Sequence, residues 1–433
     1  MLAHAAGPWH SRQLRCGPAA RSLACAVAGL MALTLPHAAA QAMARIAWPE
    51  WARDLERSVN DLNQLAAADD ATWARLPQIN ARERGAIGDG NADDTAALQA
   101  ALNSLPDGGT LLLDGGTFVH SGCLHIPARV RLLGHGARLH ASNPNNMCVS
   151  LEGIGSQLRG LELTAQATRR GSKLAQARVL VQGRGAKVID NRVIGATAAG
   201  IMIRGARDFS VTGNYVAKTL SDGIHSTDGA VSGYIARNVT DETGDDGIAV
   251  VSYLNSPRCL KILIEENSVS NISWARGISV VGSADVVVRR NKVTGTGRAA
   301  GIIVTREDSF NTYGVDRVIV ADNAVSEVAR RFNWAEKDQT GQATIDVNAY
   351  AAPVARLQVR KVVISGNTLA DGRTDGIRLL GGVCETTITD NQVQGMGGVG
   401  IALVDPTCAD PIYRRAGNKV DRPSAAPLAC HAP

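Results

Sequence analysis

The stretch VVVRRNKVTGTGRAAGIIV, Val286 to Val304, decides how this chain folds. It carries two short β-branched runs that alternate core and surface positions, with an asparagine (Asn291) after the first and a Gly-Ile pair (Gly301-Ile302) opening the second. Both markers recur. Asparagine follows a β-branched run at Asn191, Asn214, Asn238, Asn267, Asn291, Asn323, Asn367 and Asn391, most of them 23 or 24 residues apart. Gly-Ile follows most of these nine or ten residues later, at Gly200, Gly223, Gly247, Gly277, Gly301, Gly376 and Gly400, and after Asn323 an insertion precedes Ala343-Thr344-Ile345.

A unit of this length cannot bury its own apolar face, so the units must stack. Stacking predicts an all-β parallel solenoid whose coils lie about 4.8 Å apart, with equivalent residues in columns. Asparagine suits such a column because its amide reaches the coils above and below and because it tolerates a tight turn. The cysteines keep the same period. Cys123 and Cys148 are 25 residues apart and Cys384 and Cys408 are 24 apart, one coil in each case, so two disulfides are predicted between neighbouring coils. Cys259 and Cys430 stay unassigned.

Of the 433 residues, the first 42 read as a secretory leader: Arg12, Arg15 and Arg21 precede an apolar run from Leu23 to Leu35, and cleavage is expected after Ala40 or Ala42. The run is too short to span a bilayer. Removing it takes away three arginines and no acids, so the formal charge falls from +5 to +2, which excludes a basic nucleic-acid surface. Six cysteines remain, an even number suited to an oxidising compartment, and the protein is expected in the periplasm or outside the cell with no nucleic-acid or membrane partner. Residues 43–80 are read as a helical segment and 81–433 as the solenoid with its N-terminal cap.

The first edge of a solenoid needs a cover. Two stretches offer one: the amphipathic run Pro49–Ala68, and GAIGDGNADDTAALQAALNSLPDGGTLLLDGGTFV from Gly85 to Val119, where Asp93 or Asp94 caps a short helix carrying Leu98, Ala101 and Leu102. This Gly-Asp-Gly, Asp-Asp-Thr, Ala-Leu-Gln-Ala-Ala-Leu pattern resembles the entry segment of pectate-lyase-superfamily proteins. The resemblance implies a right-handed parallel β-helix over most of the chain; it does not select a reaction, because that superfamily holds hydrolases, lyases, epimerases and phage tailspikes.

Aligned on Gly-Ile, the preceding residues are Ala199, Asp222, Asp246, Arg276, Ala300, Asp375 and Val399. Asp245 adds a carboxylate beside Asp246, so three acids and a guanidinium are predicted on one edge of three adjacent coils. Clustered carboxylates raise one another's pKa, which keeps one protonated as a general acid while its neighbour serves as base. Asp-Gly is also a favoured turn dipeptide, and Asp375-Gly376 shares the register away from the cluster. His225 stands in the outward position two residues after its glycine, beside the acids, where it could bind sugar or move a proton.

The three coils resemble family 28 glycoside hydrolases, typified by polygalacturonases, whose active coils read Asn-Thr-Asp-Gly, Gly-Asp-Asp-Cys-Ile-Ala, Gly-His-Gly-Ile-Ser and Arg-Ile-Lys. Here stand Leu220-Ser221-Asp222-Gly223, Gly244-Asp245-Asp246-Gly247-Ile248-Ala249 and Ala275-Arg276-Gly277-Ile278-Ser279. The resemblance implies Asp246 as general acid and Asp222 with Asp245 as the water-activating pair of an inverting hydrolase, whose carboxyl groups would stand about 6.5–9.5 Å apart. Leu220 replaces the asparagine, Arg276 the histidine, and Ile303-Val304-Thr305 the Arg-Ile-Lys that would hold a uronate.

Two other readings stay open. Related lyases and C5-epimerases take a proton α to a uronate carboxylate, with Arg276 as base and the acids binding calcium. A non-catalytic polysaccharide-binding or assembly factor would also keep the scaffold. Under every reading the partner is a polysaccharide. Insertions at Ser252–Lys261, Arg306–Gly314 and Arg331–Gly341 are expected to wall a groove, with Tyr253, Trp274 and Arg306 as substrate-binding candidates and Phe310, Tyr313 and Trp334 as further aromatic rings nearby. Aromatic residues make up only 4% of the chain, too few for a long row of sugar-stacking subsites.

Overall fold

The computed structural model describes residues 47–333, 340–350, 357–409 and 411–421, and of residues 61–70 the backbone alone. The leader, Trp334 and Cys430 lie outside the described residues. Strands from successive coils assemble three parallel sheets of 14, 13 and 11 strands, and each full coil contributes one strand to each sheet. This is the parallel β-helix that the period predicts. Its first strand, Gln78–Asn80, pairs with the strand Gly109–Asp114 and so starts the first sheet just before residue 81.

The interior is a stack of aliphatic columns, and every coil from Leu98 to Ile401 adds to one continuous core. The asparagines form the predicted ladder at the corner between the first and second sheets. Nδ2 of Asn238 donates to Oδ1 of Asn267 at 3.0 Å and to the Val211 carbonyl at 2.9 Å, and the pattern repeats from Asn191 to Asn391. Asn418 extends it by one rung, accepting from Asn391 at 2.9 Å. The left-handed turn falls not on the asparagine but on the residue before it: Asp190, Arg237, Glu266, Arg290, Asp322 and Asp390 have φ between 52° and 59°. Asparagine is selected for its amide, and the strain sits next door.

The Gly-Ile marker has a steric cause. A Cβ on Gly247 would stand 2.4 Å from Val269 Cγ1 and 2.7 Å from the Gly277 carbonyl, and Gly200, Gly223, Gly277, Gly301 and Gly376 are crowded in the same way, so at these corners only glycine fits without a shift. Cys123–Cys148 and Cys384–Cys408 are disulfide-bonded, as the period predicts, and Cys259 is a buried free thiol.

The two N-terminal stretches part company. The short helix Thr95–Asn103 covers the first coil, burying Leu98, Ala101 and Leu102 in the main core. Asp94 is its N-cap residue but turns its carboxylate back onto the amides of Ile87 and Gly88, at 2.6 and 3.1 Å, while Asp93 accepts from the Thr95 amide at 2.9 Å. The long helix Glu50–Trp73 is no edge cover. It lies across the outer face of the first sheet, where Ala52, Leu55 and Val59 pack on Tyr234, Leu263, Val287 and Ile319. Those spacings of three and four residues are the apolar stripe of one helix face, and each large side chain buried there contributes about 1.5–3 kcal/mol. Glu56 and Glu265 clamp Arg289 beside this contact. No helix among the described residues is long and apolar enough to cross a membrane.

Candidate active site

Backbone hydrogen bonds between coils fix the predicted column. The Gly200 amide donates to the Asp222 carbonyl at 3.0 Å, Gly223 to Asp246 at 2.9 Å, Gly247 to Arg276 at 2.9 Å and Gly277 to Ala300 at 3.1 Å. Asp222, Asp245-Asp246 and Arg276 therefore stand at the N-terminal ends of the consecutive strands Ile224–Thr227, Ile248–Val251 and Ile278–Val281. One carboxylate oxygen from each acid lies within 4.8 Å of the others. This is the approach of single oxygens, a different quantity from the separation of about 6.5–9.5 Å between whole carboxyl groups that marks an inverting pair.

Each acid has its own surroundings. Asp222 accepts the Asp246 amide on Oδ1 at 2.9 Å and meets His225 Nδ1 on Oδ2 at 2.8 Å. Burial penalises its charge, but the charge and hydrogen bond of His225, together with Arg170 and the Asp246 amide, outweigh that and hold its pKa below the usual range. Burial likewise works against charge on His225, and Asp222, Asp246 and Asp245 reverse it, so the imidazole titrates above its ordinary value.

Asp246 is 4% exposed. It accepts the Arg276 amide on Oδ1 at 2.9 Å and the Ser279 hydroxyl on Oδ2 at 2.6 Å, and Arg276 Nε lies 3.3 Å from Oδ1. Burial first, then repulsion from Asp245 and Asp222, lifts its pKa to about 7 against the pull of Arg276 and Ser279. Asp245 is raised as well, by burial and by Asp222, and is checked by its ion pair with Arg170.

The Arg276 guanidinium also reaches Glu307, Nη2 to Oε1 at 2.7 Å. Burial disfavours its charge, but Asp246, Glu307, Asp245 and Asp222 more than compensate and raise its pKa. Such a group holds its proton too tightly to serve as a base.

Calcium fits poorly among these donors. Both oxygens of Asp222 and of Asp246 already accept hydrogen bonds, Arg170 is paired with Asp245, and two guanidiniums and a histidine crowd the space a divalent cation would share.

The remaining candidates spread out. Tyr253 packs on Ala249, Val251 and Val281, and its hydroxyl pKa is raised by burial and by the carboxylates of Asp222, Glu307, Asp228 and Asp245. Trp274 is 58% exposed, with the Arg298 guanidinium 4.5 Å from its ring centre. Arg306 is buried and paired with Asp308, so it does not join the acids.

Three contacts escaped the sequence reading. Ser279 lies in the outward register already used for His225 and could have been found there. Glu307 follows Arg306 in an insertion. Arg170 comes from the loop after the strand Glu162–Ala165, three coils upstream of the acid pair, and carries no marker of its own. A cleft of about 520 Å³ lies at the corner between the first and second sheets, lined among others by Arg138, Glu162, Arg192 and Tyr215. Its charged side chains are partnered, Arg138 with Glu162 at 3.1 Å, Asp190 with Arg159 at 3.7 Å and Arg192 over the Tyr215 ring, and Asp222, Asp245 and Asp246 are not part of it.

A family model described as rhamnogalacturonase A/epimerase, pectate lyase-like, matches residues 78–303, the cap and the coils that bear the acids. The chain belongs to this family. Pectate-lyase-like β-helices of this kind are polysaccharide-active enzymes, and the match ends one coil past Arg276. No curated protein matches the chain. Among solved structures, the catalytic unit of a thermostable GH87 α-1,3-glucanase from Streptomyces thermodiastaticus is 17% identical with a TM-score of 0.60, over 81% of this chain and 70% of that one. The mannuronan C-5 epimerase A-module of Azotobacter vinelandii is 19% identical with a TM-score of 0.57, over 78% and 100%. An exopolygalacturonase from Thermotoga maritima is 14% identical with a TM-score of 0.54, over 76% and 93%. At these identities the likeness is one of fold.

Proposed function

We propose that this pectate-lyase-like protein is a glycoside hydrolase that cleaves a polysaccharide with Asp246 as general acid and Asp245, assisted by Asp222, as base. One observation carries the reading: three carboxylates share a space of 4.8 Å, and the most buried of them titrates at about 7 while Asp222 stays ionised. Environments that drive neighbouring acids apart are how one site holds a proton donor and an acceptor at the same pH.

In the step, Asp246 gives its proton to the glycosidic oxygen as the bond from that oxygen to the anomeric carbon breaks. Water adds to the anomeric carbon and passes its proton to Asp245. Asp222, held ionised by His225, stabilises the positive charge that develops on the sugar. Asp245 then releases its proton to solvent, and solvent returns one to Asp246, which restores both groups. The lyase and epimerase alternatives lose support, because Arg276 is bound by two acids and both oxygens of Asp222 and of Asp246 already hold hydrogen bonds.

The reading includes export, on the strength of the leader-like segment and of the two disulfides between coils. Incubation with a panel of acidic and neutral polysaccharides tests it. New reducing ends without an unsaturated, ultraviolet-absorbing product are expected; an absorbing product makes the protein a lyase, and binding without products makes it a binding factor.

A further inference from the structure

Strand register runs one outward column along the third sheet: Leu180, Met202, His225, Ala249, Ser279, Ile303. In a groove that accepts a polymer along its length, these side chains are the floor. Instead Ala249, Ser279 and Ile303 are 0% exposed and Leu180 is 5% exposed, and of these six only Met202 and His225 keep partial access. Ile303 is large and faces outward, so other residues must lie over it.

The cover is visible in the contacts. Arg276 leaves the near end of the strand Ile278–Val281 and meets Glu307, two residues beyond the far end of the strand Ile302–Thr305 in the next coil. The ion pair therefore crosses the width of the sheet directly downstream of Asp246. Tyr253, two residues past the strand Ile248–Val251, folds back onto the outward side chains Ala249, Val251 and Val281.

Two loops brace this arrangement. Tyr253 bridges Thr312, the Leu254 amide donates to the Asn311 carbonyl at 2.9 Å, and the Tyr313 hydroxyl donates to the Ser256 carbonyl at 3.1 Å. Arg258 donates to the carbonyls of Gly282, Ser283 and Gly314 at 2.8, 3.0 and 2.6 Å. So many shared backbone bonds make a wall that stays in place rather than a lid.

We propose that the Arg276–Glu307 crossbar and the wall behind it close the groove on the C-terminal side of the acids, so that the enzyme takes the end of a polysaccharide chain rather than an internal stretch. This rests on the hydrolase reading. The open window spans the coils of Met202 and His225, about 4.8 Å apart, enough to seat a terminal sugar while the rest of the chain leads away from the sheet. The poverty in aromatic rings then has a reason, since a pocket needs no row of stacking platforms. Arg276 becomes a positioning residue that shapes the pocket and orients Asp246.

The test follows product size on polygalacturonate, alginate and α-glucan by size-exclusion chromatography, with binding to Asp246→Asn measured by calorimetry on dimers to octamers of the same sugars. The proposal expects the smallest product from the first time point, a polymer peak that barely moves, and an affinity that stops rising after the shortest oligomers. Glu307→Ala, which removes the crossbar, is expected to add intermediate fragments, and Glu307→Gln, which keeps a hydrogen bond to Arg276, to add fewer. A polymer peak that collapses early with the unmodified enzyme, or affinity that climbs up to the octamer, overturns the crossbar. Absence of products with a short-oligomer affinity plateau overturns the hydrolysis while sustaining the closed pocket, and absence of both products and binding overturns the two together.

Discussion

Asp222 and Asp246 are joined as well as adjacent: Oδ1 of Asp222 accepts the backbone N–H of Asp246 at 2.9 Å, and Oδ1 of Asp246 accepts the N–H of Arg276 at the same distance one coil further on. Each carboxylate is thus aimed by the backbone of the following coil. The site is a by-product of coil stacking, and its geometry is as rigid as the helix.

The first consequence concerns pH. An Asp246 that titrates at about 7 when folded and near 3.9 when unfolded holds its proton more tightly in the native state, so its contribution to stability falls as pH rises from about 4 to 7. Asp246→Asn removes that dependence. Thermal melts are expected to show the variant more stable than the parent at pH 8, by on the order of 2–4 kcal/mol, and no more stable at pH 4. Hydrolysis by the parent should decline as pH passes about 7 and the acid loses its proton.

His225 carries the same sign, as every group with a raised folded pKa does, though here it is the charged form that the native state favours. Its raised folded pKa means that the pair with Asp222 stabilises fully below the ordinary histidine value and loses that contribution as pH rises through the raised one. His225→Asn should therefore lower the melting temperature at pH 5.5 and change it little at pH 9. Equal losses at both pH values would show that the ring matters only for packing.

The ladder predicts a localised cost. Asn267→Ala removes the acceptor used by Asn238 and the donor to Asn291 and to the Ile235 carbonyl, all buried. Orphaned buried groups cost about 1–3 kcal/mol each, so denaturant unfolding should show a loss of several kcal/mol. Asn267→Asp, which keeps the oxygen, should lose less.

Much of this was legible because stacking turns sequence period into space. The Asn and Gly-Ile columns, both disulfides and the row Asp222, Asp246, Arg276 all follow from one repeat length. The residues that escaped are those the repeat does not govern. Arg170 and Glu307 lie in loops whose paths are set by tertiary contacts, and the helix Glu50–Trp73 has an apolar stripe whose partner could be the first edge or a sheet face. Periodicity does not choose between them; the outward column Tyr234, Leu263, Val287 and Ile319 does, by leaving an apolar face that only a helix covers.

The disulfides add a kinetic and thermodynamic check. Cys123–Cys148 and Cys384–Cys408 close loops of one coil, with sequence separations of 25 and 24, for which chain entropy alone suggests about 3 kcal/mol each. Non-reducing peptide mapping should recover both links, and reduction should lower the melting temperature. Free thiols at all four positions would contradict the predicted pairing.

The central claim is that Asp246 donates the proton, and the rate of the Asp246→Asn enzyme measures it most directly. On a polysaccharide that the parent hydrolyses, the folded variant is expected to lose about 10²–10⁴-fold in kcat, the usual contribution of a positioned general acid. Hydrolysis by Asp246→Asn at the parental rate would contradict the account.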